Sequence, residues 1–281
     1  MTATFWRLVT SNRQITNKKR KKMKTRQYLM MSGLLLVAAL GMTSCVMTCN
    51  RSFDISDDIT VEWRHLRNFE RIEISGSPTV VYTQADTFGV RVEGPDNLIP
   101  RILTDTEDGT LYVRNKGKMG FVNFTIGDKS DVTVYVSSPD LVGVGVSGSG
   151  DFISRKPLDT DTMDIALRGS GDITFGDIIC DVCVTQLIGS GDISIGHLDA
   201  KTSTAVVIGS GDVNISQVNV NETSLSLKGS GDLTVEFGEG CKSADVQLNG
   251  SGDITLQGTL SHYDAHKSGS GDIDTGNLRV R

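Results

Sequence analysis

The chain has 281 residues, with 28 Lys or Arg against 34 Asp or Glu, which gives a formal net charge of −6. Residues 1–44 hold nine of the basic side chains and no acidic one, so the remainder carries a net charge of −15. That acidity argues against binding to nucleic acid, which needs clustered positive charge. Hydrophobic residues make up 38 % of the chain, enough for a folded core, and five prolines beside 31 glycines exclude collagen.

Residues 1–44 are predicted to form a signal peptide of the lipoprotein type. Residues 28–42 carry no charge, but fifteen residues are short for a membrane span, which needs about 20. Basic residues precede this stretch and small residues follow it, as in secretory signals. Met42-Thr43-Ser44-Cys45 resembles the lipobox of bacterial lipoproteins, so Cys45 is predicted to be lipidated, with Cys49 as the weaker alternative. Either Met1 or Met23 is the true start.

Residues 45–58 are short and polar, and we interpret them as a tether between the lipid and the folded part. Two or more acyl chains hold a protein stably on a bilayer. The sequence therefore predicts an exported protein, anchored by its lipid to the outer membrane and facing either the periplasm or the cell surface.

Residues 59–147 contain several short runs with strand character. Examples are Ile72–Ser75, Thr79–Tyr82, Val90–Glu93 and Val132–Val136, separated by turns such as Asp108-Gly109. These residues are predicted to add irregular β coils that cap one end of the repeat region at residues 148–281 and are continuous with it.

The tetrapeptide Gly-Ser-Gly-Asp occurs seven times, at intervals of 21, 20, 20, 20, 21 and 19 residues. The copies begin at Gly148, Gly169, Gly189, Gly209, Gly229, Gly250 and Gly269. Near-constant spacing of this kind is typical of a solenoid, in which each repeat is one coil.

Alternate positions on both sides of each Gly-Ser-Gly-Asp are apolar, which is the period of a β-strand. In one repeat these positions are Ile165 and Leu167 before the motif, and Ile173 and Phe175 after it. A third alternation follows in several repeats, at Ile178/Cys180, Leu198/Ala200 and Val218/Val220. Three strands in about twenty residues predict an all-β, single-stranded, right-handed parallel β-helix. Glycine suits its corners, because it allows positive φ and close approach of coils.

The segment Ile74-Ser-Gly-Ser-Pro-Thr-Val-Val-Tyr-Thr-Gln, then Val132-Thr-Val-Tyr-Val-Ser-Ser-Pro-Asp-Leu, then the repeat array resembles a known family. That family is "Putative auto-transporter adhesin, head GIN domain", which is common in Bacteroidetes, and the resemblance covers about residues 66–280. It implies a right-handed β-helix in a secreted or surface lipoprotein.

The aspartates of the motif are expected to stack in one column. They are Asp151, Asp172, Asp192, Asp212, Asp232, Asp253 and Asp272. Carboxylates about 4.8 Å apart repel by roughly 1 kcal/mol per pair in water, so something must offset the repulsion. Either a Ca²⁺ ion binds the column, or each carboxylate accepts a backbone N–H at the corner; the single acidic column favours the second interpretation. Corner hydrogen bonding is also expected of the serine column from Ser149 to Ser270.

Catalytic chemistry is not predicted. Coils of 19–21 residues leave no long loops to build a cleft, and no cofactor is implied. The four histidines, His65, His197, His262 and His266, show no metal-ligand spacing. Cys180 and Cys183 form a C-x-x-C, but they occupy inward positions and are interpreted as small core side chains, with Cys241 too far away to form a disulfide with either.

The sequence thus predicts a non-enzymatic, lipid-anchored envelope β-helix that binds a glycan or surface protein as an adhesin-like or scaffold module. Its outward positions Thr174, Ser194, Asn214, Thr234 and Thr255 are predicted to form a flat polar strip. Two alternatives stay open: a housekeeping lipoprotein of the envelope stress response, and a polysaccharide-active enzyme.

Overall fold

The computed structural model describes residues 55–116 and 132–281. The predicted signal peptide, Cys45 and residues 46–54 of the predicted tether lie outside the described residues. No helix within the described ranges has the length and hydrophobicity to cross a membrane.

The described residues form twenty strands and one short 3-10 helix, Ile99–Arg101. The strands are β1 (Ile59–Arg64), β2 (Arg71–Gly76), β3 (Thr79–Gln84), β4 (Gly89–Pro95), β5 (Ile102–Glu107), β6 (Thr110–Asn115), β7 (Thr133–Ser138), β8 (Gly143–Gly148), β9 (Phe152–Ser154), β10 (Leu158–Asp159), β11 (Thr162–Gly169), β12 (Ile173–Gly189), β13 (Ile193–Gly209), β14 (Val213–Val218), β15 (Glu222–Gly229), β16 (Leu233–Phe237), β17 (Ser243–Gly250), β18 (Ile254–Leu260), β19 (His262–Gly269) and β20 (Ile273–Val280).

The repeats wind as successive parallel coils, which confirms the predicted β-helix. Strands that end in the motif stack into a first wall, formed by β2, β8, β11, the second halves of β12 and β13, then β15, β17 and β19. Strands that follow the motif stack into a second wall, formed by β3, β9, the first halves of β12 and β13, then β14, β16, β18 and β20. Shorter pairings, such as Leu158 with Ile178, add a third wall.

Inward side chains of these walls form the core. The two apolar positions before the motif and the two after it are buried in the central coils, as in Ile165, Leu167, Ile173 and Phe175. Because the central coils present similar sets, the columns of buried side chains continue from one central coil to the next. No coil buries its apolar face alone, so the array depends on its neighbours for stability.

The two glycines of each motif meet different requirements. The first has positive φ, for example 134° at Gly209, and its carbonyl accepts N–H groups from the serine and second glycine of the next coil. The second, for example Gly211, has no positive φ, but a Cβ there would lie 2.0 Å from the carbonyl oxygen of Gly191. Backbone therefore packs directly against backbone at every corner, and only glycine fits.

The N-terminal coils stack out of sequence order. β2 lies between β6 and β8, and β3 lies between β7 and β9, so β6 and β7 extend the solenoid on the side opposite to the repeats. Antiparallel strands follow beyond them: β5 pairs with β6, and β4 pairs with both β7 and β1. A hairpin turn with positive φ at Asp108 and Gly109 reverses the chain between β5 and β6.

The opposite end of the solenoid is polar. Lys267 takes the wall position that Leu248 holds in the preceding coil, and it is exposed. Its Nζ lies 2.6 Å from Oδ1 of Asp272, the last aspartate of the column. A charged side chain at this terminal coil discourages a further strand from adding to the open edge.

One coil departs from the repeat by a register shift. Gln217 pairs with Leu198, and its side chain is buried where Val218 was expected to be; Val218 is only half-buried. The Gln217 amide donates to Ser203 Oγ and accepts from Thr223 Oγ1, both at 2.8 Å. The expected alternation Val218/Val220 was therefore wrong at its first position, because one residue fewer lies between Ile215 and Gln217 than between their partners Ile195 and Leu198.

Gln217→Ala is expected to lower the free energy of unfolding by about 3 kcal/mol, since it opens a cavity and leaves two buried hydroxyls without this partner. Urea unfolding followed by circular dichroism measures the change. Gln247→Ala, on the exposed surface of β17, is the matched control and should lie within about 0.5 kcal/mol of the wild type. Equal effects of the two substitutions would contradict the buried network.

Candidate binding face

The seven aspartates stand in one column at the corner between the first and second walls. From Asp151 to Asp253, Oδ1 accepts the backbone N–H of the aspartate in the next coil, at distances between 2.7 and 3.1 Å. Each of these carboxylates thus accepts a backbone N–H at the corner, and the N–H belongs to the neighbouring coil. The column therefore links the coils together while the carboxylates repel one another.

Within residues 55–116 and 132–281, no second group of metal ligands lies beside this column. Among the described residues, no three side chains of His, Cys, Asp and Glu converge to hold a metal ion. Binding of a cation would require the negative charge of the carboxylates, whereas the hydrogen bonds to backbone N–H groups require only an acceptor oxygen. Substitution of an aspartate by asparagine therefore distinguishes the two interpretations.

Asp212→Asn is expected to change the urea midpoint little, because the amide oxygen still accepts the Asp232 N–H and one repelling charge is removed. Asp212→Ala removes the acceptor and is expected to cost about 1–2 kcal/mol. Both variants and the wild type are melted with and without Ca²⁺, and no Ca²⁺-dependent shift is expected. If Asp212→Asn lowered the unfolding midpoint as much as Asp212→Ala, and Ca²⁺ raised the midpoint of the wild type, the result would show that a cation binds the aspartate column.

The serine column runs along the same corner, outside the glycines. Each backbone N–H donates to the first glycine of the preceding coil, as from Ser210 to Gly189 at 2.9 Å. The side chains point outward, and in one pair the hydroxyls of Ser230 and Ser251 are 3.3 Å apart. The corner bonds come from the serine backbone, so the hydroxyls are left on the surface.

The predicted polar strip is present on the outer surface of the second wall. Thr174, Ser194, Asn214, Thr234 and Thr255 pair in direct register, one in each coil. All five are exposed or half-exposed, and none carries a charge. Neighbouring members are about 4.8 Å apart, as adjacent strands require. The strip therefore presents the same hydrogen-bonding chemistry at a constant interval.

The strip continues past the repeats into an aromatic end that sequence reasoning did not identify. Thr174 pairs with Ile153, Ile153 with Val81, and Val81 with Tyr135. Tyr135 then pairs with Arg91, and Arg91 with Trp63 on β1. Paired residues lie on the same side of a sheet.

Trp63 is 64 % exposed, and Ile59 and Val61 on the same strand are exposed as well. The Arg91 guanidinium lies 4.1 Å from the centre of the Tyr135 ring, and it pairs with Glu93 at 3.2 Å. This end of the second wall is therefore flat and aromatic.

A separate apolar patch lies on the outer surface of the first wall. Val182, Val184 and Ile188 of β12 and Ile208 of β13 are between 36 % and 40 % exposed. In neighbouring coils the equivalent positions are polar, such as Thr162 and Glu222. The patch offers apolar area without hydrogen-bonding groups.

Cys180 and Cys183 are buried and free, as is Cys241. A hydrogen bond between the thiols of Cys180 and Cys183 lowers the pKa of Cys180, and the same bond together with burial raises the pKa of Cys183 well above its usual value. The two face inward in columns with Ala200 and Ser203. Both thiols occupy core positions, as predicted, and are shielded from the solvent.

The histidines do not form a site within the described part of the chain. His262 and His266 lie on β19, in the polar terminal coil, and His197 lies on β13. His266 Nε2 is 4.0 Å from Asp264 Oδ2, and both side chains are mostly exposed.

A family model described as "Putative auto-transporter adhesin, head GIN domain" matches residues 68–241. No curated protein matches the chain. Among solved structures, a "putative adhesin" from Bacteroides fragilis is 24 % identical over 78 % of this chain and 97 % of its own, with a TM-score of 0.67. A "Putative lipid binding protein" from Parabacteroides distasonis is 22 % identical over 81 % of this chain and 99 % of its own, with a TM-score of 0.64. A "putative adhesin" from Parabacteroides merdae is 18 % identical, with coverages of 77 % and 96 % and a TM-score of 0.58. At these identities the likeness shows the fold.

Proposed function

This chain belongs to the family "Putative auto-transporter adhesin, head GIN domain", and from that membership and the geometry of the second wall we propose an adhesin-like role. The protein is a non-enzymatic binding module of the cell envelope, anchored to the outer membrane through a lipid on Cys45. Its ligand is a glycan or a surface protein. The observation that carries the proposal is the polar strip, which repeats one uncharged polar side chain per coil over five coils.

Three features support binding over catalysis. Between Gly148 and Gly269 the coils are joined by short corners, so the described surface there is a set of flat walls without a loop-built cleft. The strip consists of neutral side chains that donate and accept hydrogen bonds. Two solved structures of the same fold are each named a "putative adhesin".

A repeating row of weak contacts gains strength when the ligand also repeats, because each further contact is made within one complex. A rigid wall helps, since it loses little conformational freedom on binding. The proposed module therefore suits an extended, repetitive partner better than a compact small molecule.

Protease shaving of intact cells tests the orientation that adhesion requires. We expect the folded domain to be released from intact cells, and the purified mature protein to bind members of a glycan array or a set of envelope proteins. Protection from protease until the outer membrane is permeabilised would place the domain in the periplasm and contradict adhesion. Turnover of a polysaccharide by the purified protein would contradict the non-enzymatic role.

A further inference from the structure

We propose that the second wall binds an uncharged polysaccharide, which lies across the strands with a sugar ring stacked on Trp63 and its hydroxyl groups bonded to the polar strip. The inference rests on the proposed binding function and specifies its ligand class and its site. The row from Trp63 to Thr255 crosses ten strands, which makes it about 43 Å long at the usual strand spacing.

The aromatic end supplies the apolar part of such a site. A sugar ring has one face formed by C–H groups, and it packs on the flat face of an aromatic ring. Trp63 offers an indole that is 64 % exposed, at the edge strand β1. The stacked Arg91 and Tyr135 lie beside it in the same row, so the flat surface extends over three strands. Contiguous exposed apolar and aromatic side chains of this kind are typical of a contact with a ligand or partner.

The polar strip supplies the hydrogen bonds. A hydroxyl or amide side chain both donates and accepts, as a sugar hydroxyl does, so either partner can adapt to the other. On one side of the strip, toward the later part of each strand, three successive coils carry Gly176, Gly196 and Ser216. These small residues leave space above the sheet at the level of Thr174, Ser194 and Asn214.

Charge decides which polysaccharide fits. On its other side the strip is bordered by the aspartate column, two residues before each strip member. Most of these carboxylates are exposed, and their Oδ1 atoms already accept backbone N–H groups. A row of negative charge at this distance repels an acidic polysaccharide or an anionic membrane. At the aromatic end, Arg91 is neutralised by Glu93. The electrostatics therefore favour an uncharged chain.

The fluorescence of Trp63 can report binding directly in the mature protein. The sequence has two tryptophans, Trp6 in the predicted signal peptide and Trp63, so Trp63 alone reports fluorescence after processing. The mature protein is titrated with soluble β-glucan, mannan and xylan, with polygalacturonate as the acidic counterpart and with anionic phospholipid vesicles. We expect a change in Trp63 emission with at least one neutral polysaccharide and none with polygalacturonate or vesicles.

Variants locate the site by calorimetry, which does not depend on the tryptophan. Trp63→Ala and Asn214→Ala are each expected to weaken binding at least about tenfold. Val184→Ala, in the apolar patch of the first wall, is the matched control and should bind like the wild type. Both tested side chains are exposed, so the fold is expected to persist, and circular dichroism checks this.

Each other outcome overturns a defined part of the inference. Equal binding by wild type, Trp63→Ala and Asn214→Ala would place the polysaccharide elsewhere and leave the proposed binding function standing. Binding only to polygalacturonate, or an emission shift caused by vesicles, would overturn the uncharged ligand. An emission shift that depends on protein concentration alone would assign Trp63 to self-association. Failure to bind any polysaccharide would overturn the ligand class, and the protein partners tested under the proposed function would then decide whether that function survives.

Discussion

Replacing Gly211 with alanine is expected to destabilise the solenoid by at least about 3 kcal/mol, one of the largest effects of a single methyl group in this chain. The added Cβ would lie 2.0 Å from the carbonyl oxygen of Gly191 and 3.0 Å from its carbonyl carbon. Both belong to the backbone of the neighbouring coil, so no side chain can move away to relieve the contact. The coils must separate, and the hydrogen bonds between them lengthen.

Two further substitutions separate close approach from backbone conformation. Gly109 has a φ of 76°, and a Cβ added there would meet no atom within 4 Å, so Gly109→Ala measures the conformational cost alone, about 1–2 kcal/mol. Gly209 combines a φ of 134° with an approach of 2.2 Å to the Gly189 carbonyl oxygen, so Gly209→Ala is expected to cost the most. At Gly145 the atoms nearest to an added Cβ belong to the Glu73 carboxylate, which can move, so Gly145→Ala is the mild control.

Urea unfolding of the four alanine variants measures the order, which we expect to be Gly145, Gly109, Gly211 and Gly209 from the smallest loss to the largest. A loss at Gly211 no greater than that at Gly145 would show that the corners do not pack backbone against backbone. The account of the motif as a contact between coils would then be wrong.

Replacing Cys45 with alanine is expected to abolish lipidation of the protein almost completely. A lipobox cysteine receives the lipid through its thiol, which alanine lacks, and the apolar residues 28–42 then stay on the chain uncleaved. Metabolic labelling with palmitate, followed by immunoprecipitation, measures the change. Mass spectrometry of the wild type should find the lipid on an N-terminal Cys45.

Cys49→Ala is the matched control, since it removes the competing cysteine and leaves Met42-Thr43-Ser44-Cys45 intact. We expect this variant to incorporate palmitate like the wild type. Loss of the label in Cys49→Ala together with its retention in Cys45→Ala would assign the lipid to Cys49. Absence of the label from the wild type would contradict lipid anchoring at either position.

The repeat array made the coil fold predictable, because each Gly-Ser-Gly-Asp motif marks the position of a corner between two strands. Gly169, Gly189 and Gly209 pair in register as the interval of twenty residues requires. The apolar positions on each side of the corner are buried for the same reason. The alternation of apolar residues and the pairing of neighbouring coils have the same period, so the strands of one repeat predict the strands of the next.

Features that break the repeat were not predictable in the same way. β6 and β7 pair with β2 and β3 on the side away from the repeats, although they follow β2 and β3 in the chain. This order depends on long-range pairing. Gln217 is buried because the register shifts by one residue. The sequence does not reveal this shift, because Val218 and Val220 fit the apolar alternation of the other repeats.

The candidate binding face was predictable only where it repeats. Thr174 and its equivalents are outward positions of a regular pattern and were identified from the sequence. Trp63, Arg91 and Tyr135 come from three segments far apart in the chain, and antiparallel pairing brings two of those segments into the row. No local signal marks them as neighbours, so only the structure connects the aromatic end to the polar strip.

The stacking of coils supports the polar strip, the aspartate column and the glycine corners alike, and spin-label distances test it most directly. In a chain with Cys45 and Cys49 replaced by serine, one label is placed at Ser149 and a second at Ser190, Ser210, Ser230 or Ser270 in turn. Continuous-wave line broadening for the nearer pairs and double electron–electron resonance for the more distant ones should give distances that grow by about 4.8 Å for each coil, reaching about 29 Å at Ser270. Distances that do not increase with coil number would contradict the solenoid and every column derived from it.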